Sequence, residues 1–125
     1  MNYRGKDIEC IRINGDRMTV SIAWNGVAYL TVMLHGSPMI SAEIKEPKEV
    51  VNALEVLTRR GKDIRFKAED GRFIKVYHTD GDVGIGIKKT NIPIKAIIMN
   101  SETLSAFKKE LINVIGIQEE MAVKQ

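Results

Sequence analysis

The chain has 125 residues, which suffices for one domain with a hydrophobic core but not for two independent ones. With 44% hydrophobic and 28% charged residues it has the composition of a globular protein, and no apolar run reaches the roughly 18–20 residues of a membrane span. The net charge of +3 permits an anionic partner without requiring one. The single cysteine, Cys10, excludes an intramolecular disulfide and fits a reducing compartment, and we expect its thiol to be buried in a strand. We therefore expect one cytoplasmic domain, comprising residues 1–125, with no membrane association.

The first half of the chain predicts four strands and one helix. Alternating or β-branched residues mark the strands, at residues 8–13, 17–24, 27–34 and 39–45. Asn14-Gly15 and Asn25-Gly26 are hairpin signals, because both residue types tolerate a positive φ. Pro47 suits the first turn of the helix, and Gly61 suits its C-terminal cap.

The second half predicts the same elements in the same order. The strands are expected at residues 64–69, 72–78, 83–89 and 93–99. Turns are expected between them, at Asp70-Gly71, Asp80-Gly81 and Thr90-Asn91. A helix is expected from about residue 101 to 115, with Asn100 or Ser101 as its N-cap. Gly116 is expected to end this helix, so that residues 117–125 form a flexible tail.

A short repeat supports this duplication. The sequence Arg-Gly-Lys-Asp-Ile occurs at residues 4–8 and again at residues 60–64, and later turn and strand signals recur in the same order. We therefore divide the chain into repeats 5–60 and 61–116. The predicted fold is α+β, with two tandem β-β-β-β-α repeats related by a pseudo-twofold axis. Each repeat would form an antiparallel four-stranded sheet covered by its own C-terminal helix.

This duplicated unit resembles the layout of the Whirly proteins and the Pur-repeat proteins, and a single unit resembles the positive cofactor 4 family. The local likeness is closest over residues 95–104, which run from Lys95 through Asn100-Ser101-Glu102, followed by Phe107 and a Lys-bearing helix. The first repeat departs from the pattern, with Ser41 in place of the lysine and Pro47 in place of Ser101. The resemblance implies binding of single-stranded DNA or RNA on the sheet faces, in an assembly with paired helices.

The residues of the second repeat lead to the same expectation. If Ile74 and Val76 face the core, strand 72–78 presents an aromatic-Lys-aromatic face. Cations and aromatic rings together suit unpaired bases and their phosphates, and here the candidate residues are Arg65, Lys67, Phe73, Lys75, Tyr77, Lys88 and Lys95. Gly84 and Gly86 would leave a bare backbone floor that a base can approach. The opposite interpretation, with Phe73 and Tyr77 in the core, stays open.

In the first repeat, the equivalent face contains Arg17 and Tyr29 and is expected to contribute less. Trp24 is assigned to core or turn packing, with base stacking as the second interpretation. His35 and His78 are isolated, so neither a metal site nor a catalytic pair is predicted, and no cofactor is expected.

The predicted function is therefore non-catalytic binding of single strands, with DNA favoured over RNA, by a homo-oligomer (dimer or tetramer). The alternative is a homo-oligomeric protein-interaction module that uses the exposed sheet aromatics as its interface.

Overall fold

The computed structural model describes residues 3–9, 15–56, 63–79 and 82–123. These residues form an α+β fold with two antiparallel sheets, of five and four strands, and two helices. The elements in chain order are β1 (Tyr3–Arg4), β2 (Ile8–Glu9), β3 (Arg17–Ile22), β4 (Ala28–Met33), β5 (Ile40–Ile44), α1 (Pro47–Val56), β6 (Ile64–Lys67), β7 (Arg72–Thr79), β8 (Asp82–Lys89), β9 (Ile92–Met99) and α2 (Ser101–Val123). The fold class agrees with the prediction. Each predicted strand that lies wholly within the described residues matches the observed bounds to within two residues at either end.

The first sheet begins with an interrupted edge. Its order is β1-β3-β4-β5, and β2 pairs with the other end of β3. Between β1 and β2, Gly5 donates its backbone N–H to the carbonyl of Val20 at 2.8 Å. A Cβ on Gly5 would lie 2.6 Å from that carbonyl oxygen, so the close approach requires glycine. The strand β1 was not predicted, because two residues carry no alternation signal.

The second sheet is a meander with the order β6-β7-β8-β9. At the first of its turns, Asp70 and Gly71 both have a positive φ, of 56° and 71°. These values fit the tight hairpin that the sequence predicts there. At the turn between β8 and β9, Asn91 has a φ of 66°.

Both sheets contribute their inner faces to one core. β5 lies against β7 and β8, and β4 lies against β9. Fully buried side chains come from the two sheets and both helices, among them Met18, Leu30, Leu54, Ile74, Ile85, Ile97, Phe107 and Leu111. Burial of a side chain of this size contributes about 1.5–3 kcal/mol. The core therefore ties the two halves of the chain together.

Helix α2 lies across the first sheet, against β2 and β3, and also packs on α1. Two hydrogen bonds fix it there. The Tyr3 hydroxyl donates to Oε2 of Glu110 at 2.9 Å, and the Gln118 side-chain amide donates to the carbonyl of Gly26 at 2.8 Å. The prediction that each sheet is covered by its own helix is therefore wrong for α2. Periodicity shows that a helix has an apolar face, but it does not show which sheet receives that face.

The start of α2 agrees with the sequence. The backbone N–H of Thr103 donates to Oδ1 of Asn100 at 2.9 Å, so Asn100 is the N-cap.

The end of α2 does not agree with the sequence. Gly116 lies inside the helix, which continues to Val123, so the predicted end at Gly116 is wrong, and so is the predicted flexible tail over residues 117–123. Ile117 and Met121 pack against the core beyond that point. Glycine in a helix interior costs about 1 kcal/mol relative to alanine. Apolar packing offsets that cost, so the helix continues beyond Gly116.

Several predictions fall outside the described residues. These are the burial of Cys10, the end of the strand at residues 8–13, the turn residue Asn14, the cap at Gly61, the Asp80-Gly81 turn and the boundary between the two repeats.

Candidate nucleic-acid interface

Burial shows which way the side chains of β7 point. Ile74 and Val76 are 1% and 0% exposed, so they face the core. Phe73, Lys75 and Tyr77 therefore lie on the opposite side, where each is half-buried. The predicted aromatic-Lys-aromatic face is confirmed, and the interpretation with both aromatics in the core is excluded. We call this side the outer face of the second sheet.

Strand β6 adds cations to the outer face. Its register places Arg65 beside Lys75, and Lys67 beside Phe73. The guanidinium carbon of Arg65 lies 5.2 Å from the centroid of the Phe73 ring, which is a cation–π distance. Lys67 is exposed. One edge of the outer face thus carries an aromatic ring with a cation against it and a second cation that can reach a ligand.

Lys75 occupies the middle of the outer face between two partners. Its Nζ lies 5.5 Å from the centroid of the Tyr77 ring and 3.0 Å from Oδ2 of Asp63. Burial raises the pKa of the Tyr77 hydroxyl above its ordinary value of 10.0, and the negative charge of Asp63 acts in the same direction. Tyr77 is therefore neutral at physiological pH and keeps its proton to donate.

Asp63 is a site residue that the sequence reasoning missed. It stands two residues before Arg65, so strand alternation places it on the same face. Its carboxylate partly neutralises Lys75 and would repel a phosphate. The alternation that selected Arg65 and Lys67 could have identified it.

The predicted glycine floor is not open. A Cβ on Gly84 would lie 2.3 Å from the Tyr77 ring, and a Cβ on Gly86 would lie 2.6 Å from the Cβ of Ala96. Both glycines are buried, because neighbouring side chains cover them. The expectation that a base approaches this bare backbone is therefore wrong. The glycine at position 84 instead allows the Tyr77 ring to lie close to the sheet, which restricts the ring's position.

Lys88 is adjacent to the aromatic face but bends back onto its own hairpin. It pairs with Phe73 across the strands. Its Nζ donates to the backbone carbonyls of Lys89, at 3.1 Å, and of Ile92. A phosphate contact by Lys88 would require these two hydrogen bonds to be exchanged.

Lys95 lies on the other side of the sheet, which corrects the prediction. It pairs with Ile87, which is 0% exposed and faces the core. Its Nζ donates to the carbonyl of Pro38 at 2.8 Å, in the turn between β4 and β5. A lysine can lie on an inner face at the rim of a sheet because its long stem carries the charge outward. Lys95 thus links the two sheets and is separated from the aromatic face.

Arg17 and Tyr29 lie on the outer face of the first sheet, as predicted. Arg17 is exposed, and its Nε is 3.9 Å from Oε1 of Glu9. Tyr29 lines a shallow trough of about 460 Å³. The trough also carries the hydroxyl groups of Thr19, Ser21 and Thr31. Hydrogen bonding, rather than positive charge, characterises this face.

Trp24 is 72% exposed, so of the predicted core or turn packing the core position is excluded. It follows β3 at the turn that contains Asn25 and Gly26. Stacking of Trp24 on a base stays a prediction.

A pair of carboxyl groups joins the two sheets at another point. A hydrogen bond between Glu69, which follows β6, and Glu43 of β5 raises the pKa of Glu69. Burial and the negative charges of Glu43 and Asp70 raise the pKa further. A hydrogen bond between two carboxyl groups requires one proton, so this contact is strongest at acidic pH.

Two negative findings concern the described part of the chain. There, no three His, Cys, Asp or Glu side chains form a group that could hold a metal ion. Neither of the two described helices is long and apolar enough to cross a membrane.

Comparison with known proteins gives no relative: no family model, no curated protein and no solved structure matches the chain. The resemblance to the Whirly and positive cofactor 4 families therefore stays a prediction.

Proposed function

We propose that this protein binds single-stranded nucleic acid without catalysis, and that the outer face of the second sheet is the main binding surface. One observation carries the proposal: on this face, Phe73 and Tyr77 each have a cation within 5.5 Å of the ring centroid. Aromatic rings stack on unpaired bases, and the neighbouring cations neutralise phosphates. DNA is favoured over RNA in this proposal.

The spacing of the two rings suits an extended strand. Phe73 and Tyr77 are four residues apart in β7, which corresponds to about 13 Å. Two separate bases can therefore stack on the same sheet, with Lys75 between them. A duplex offers no unpaired bases to such rings, so the surface discriminates in favour of single strands.

The charges on the face are mixed, which sets an expectation for affinity. Arg65, Lys67 and Lys75 are positive, and Asp63 opposes them through its 3.0 Å contact with Lys75. Because few phosphates are neutralised, we propose binding of moderate affinity in which stacking contributes as much as charge. The first sheet, with Arg17 and Tyr29, would add weaker contacts.

We also propose that the chain is a duplicated β-β-β-β-α unit with repeats 5–60 and 61–116. The repeated Arg-Gly-Lys-Asp-Ile sequence supports this, as does the order of elements in each half. A cytoplasmic location is proposed with it, because one cysteine suits a reducing compartment.

Fluorescence anisotropy with labelled single-stranded DNA, single-stranded RNA and duplex DNA, each at two salt concentrations, tests the function. We expect salt-sensitive binding to single strands and much weaker binding to the duplex. Absence of binding to all three at low salt would refute the proposal. Self-association that salt does not weaken, and that needs Phe73 and Tyr77, would favour the alternative protein-interaction module.

Substitutions then locate the surface. Phe73→Leu and Tyr77→Leu keep apolar bulk but remove the ring, and each should weaken binding roughly 5- to 140-fold, which corresponds to the 1–3 kcal/mol of one stacked base. Lys67→Gln should reduce the slope of log K against log salt by about 0.7. Tyr29→Leu is the matched aromatic control on the first sheet and should have a smaller effect.

Asp63→Asn provides a test in the opposite direction. It removes the carboxylate that neutralises Lys75, so binding to single strands should become tighter. If this substitution weakens binding while the fold is retained, the outer face of the second sheet is not the binding surface.

A further inference from the structure

Helix α2 carries a regular stripe on its exposed side, away from the core. The residues follow one another at intervals of four, three, four, three and four, which is the spacing of the contact seam in a helix pair. All of them are exposed, and they are Ser105, Lys109, Ile112, Gly116, Glu119 and Val123. We call this set the α2 stripe.

At the centre of the α2 stripe, an exposed apolar side chain, Ile112, lies one turn before a glycine, Gly116, with open space above it. The side chain of Ile112 is a large hydrophobic group with 56% exposure. One turn later, a Cβ on Gly116 would meet nothing within 4 Å. Small residues on a helix allow a second backbone to approach closely, so the gap at Gly116 can receive a side chain from outside.

The charges of the α2 stripe indicate which partner can bind it. We propose that the α2 stripe binds the α2 stripe of a second copy of this chain, with the two helices antiparallel. A twofold axis near residue 114 then places Ile112 opposite Gly116 of the second copy, and Lys109 opposite Glu119 of the second copy. Each contact occurs twice, because such an interface uses the same patch on both subunits.

The alternatives fit less well. A parallel pair would place Lys109 opposite its own copy and Glu119 opposite its own copy, so both contacts would be repulsive. A nucleic acid would meet Glu119 and the neighbouring Glu120, which repel phosphate. In the free chain, Glu119 has Lys48 at 3.5 Å, with both side chains well exposed. A carboxylate with one exposed ammonium partner can accept a second one from Lys109 of the other copy.

Sedimentation velocity of the full chain over a range of concentrations tests the interface. We expect reversible dimers for the wild type. Lys109→Glu alone and Glu119→Lys alone each turn two attractive contacts into repulsive ones, and each should weaken the dimer roughly tenfold or more. The double substitution Lys109→Glu with Glu119→Lys restores both pairs and should restore the dimer.

Mixing the two single variants gives the sharpest result. The carboxylate introduced by Lys109→Glu in one variant would face the ammonium group introduced by Glu119→Lys in the other. At the second contact, the unchanged Glu119 of the first variant would face the unchanged Lys109 of the second. Both contacts are then attractive, so the mixture should form heterodimers although each variant alone is weakened.

A charge change outside the α2 stripe serves as the control. Lys45→Glu, at an exposed position after β5, makes the same charge change as Lys109→Glu and should leave the dimer intact. Circular dichroism checks that each variant is folded.

Three results would overturn the inference. These are a wild-type chain that stays monomeric at all concentrations, single variants that dimerise as well as the wild type, and a double variant that does not recover. The experiment contains no nucleic acid, and the substituted residues lie outside the outer face of the second sheet. Its outcome is therefore independent of the proposed function.

Discussion

Replacing Gly116 with alanine tests whether α2 is continuous. Gly116 lies inside the helix, and its φ is not among the positive values found at other glycines of the described chain. Its missing side chain faces open space, since a Cβ would meet nothing within 4 Å. Alanine is favoured over glycine in a helix interior by about 0.8–1.0 kcal/mol. We therefore expect Gly116→Ala to raise the free energy of unfolding by about 1 kcal/mol.

The same change can be expressed as a shift in melting temperature. The entropy of unfolding is about 2.1 cal/mol/K per residue, or about 0.26 kcal/mol/K for a chain of 125 residues. A stabilisation of about 1 kcal/mol then raises Tm by about 4 °C. Urea denaturation followed by circular dichroism should show a higher midpoint with an unchanged m-value. A low protein concentration keeps self-association out of the measurement.

The sign of the effect decides between two structures. If the helix ended at Gly116, the glycine would adopt a left-handed conformation, and alanine there would cost about 1–2 kcal/mol. Gly71→Ala is the matched control, because Gly71 has a φ of 71° in a hairpin turn and should lose stability. A fall in stability for both variants would refute the continuous helix.

Three further predictions concern single contacts. Tyr3→Phe leaves the buried Glu110 without its hydroxyl donor and should lower the free energy of unfolding by about 1–3 kcal/mol in urea denaturation. The hydrogen bond to Glu110 raises the pKa of Tyr3, so in the wild type this contribution to stability is present below pH 10.0 and is lost as the pH rises through the folded-state pKa. If Tyr3→Phe leaves the loss of stability at alkaline pH unchanged, the assignment is contradicted. The pKa of Glu69 is raised, so its stabilising contribution is present below pH 4.5 and is lost as the pH rises through the folded-state pKa. Glu43→Gln supplies an uncharged donor to Glu69, so it should raise stability at neutral pH and make stability less dependent on pH. Melting curves recorded over a range of pH measure both effects. Lys95→Met should leave anisotropy-measured binding to single strands unchanged, since Lys95 lies on the inner side of the sheet; a loss comparable with that of Lys67→Gln would contradict its placement.

In the second sheet, strand alternation predicts correctly which side chains share a face. It separates Ile74 and Val76 from Lys75 without deciding which face is buried, and burial shows that Ile74 and Val76 face the core. In β9 the same alternation places Lys95 on the side of the buried Ile97, whereas the prediction grouped Lys95 with the cations of the outer face. At the rim of a sheet, a long side chain can face inward and still deliver its charge to a polar group. Alternation was therefore a better guide to position than residue type.

Contacts between elements distant in sequence could not be predicted. The hydrogen bond between Tyr3 and Glu110 joins the two ends of the chain, and the pair formed by Glu43 and Glu69 joins the two sheets. Neither contact has a local signal, because each depends on which faces pack together. The cover over Gly84 has a nearer source: the ring of Tyr77, its partner on the neighbouring strand, occupies the space that the glycine leaves.

The position of α2 has a consequence for how the molecule can work. Helix α2 packs against the first sheet and against α1, and no residue of its exposed stripe belongs to the aromatic face of the second sheet. The apolar faces of both helices pack in the core. Phe73 and Tyr77 project from the side of β7 that faces away from the core. A dimer formed through α2 would therefore not consume the two rings that the proposed function requires. Two copies would present two such faces, and linked binding to one long strand would then be tighter than binding by either copy alone. In the Lys109→Glu variant, the affinity for single strands long enough to reach both faces should fall to that of a single copy. The affinity for short oligonucleotides should be the same in this variant as in the wild type.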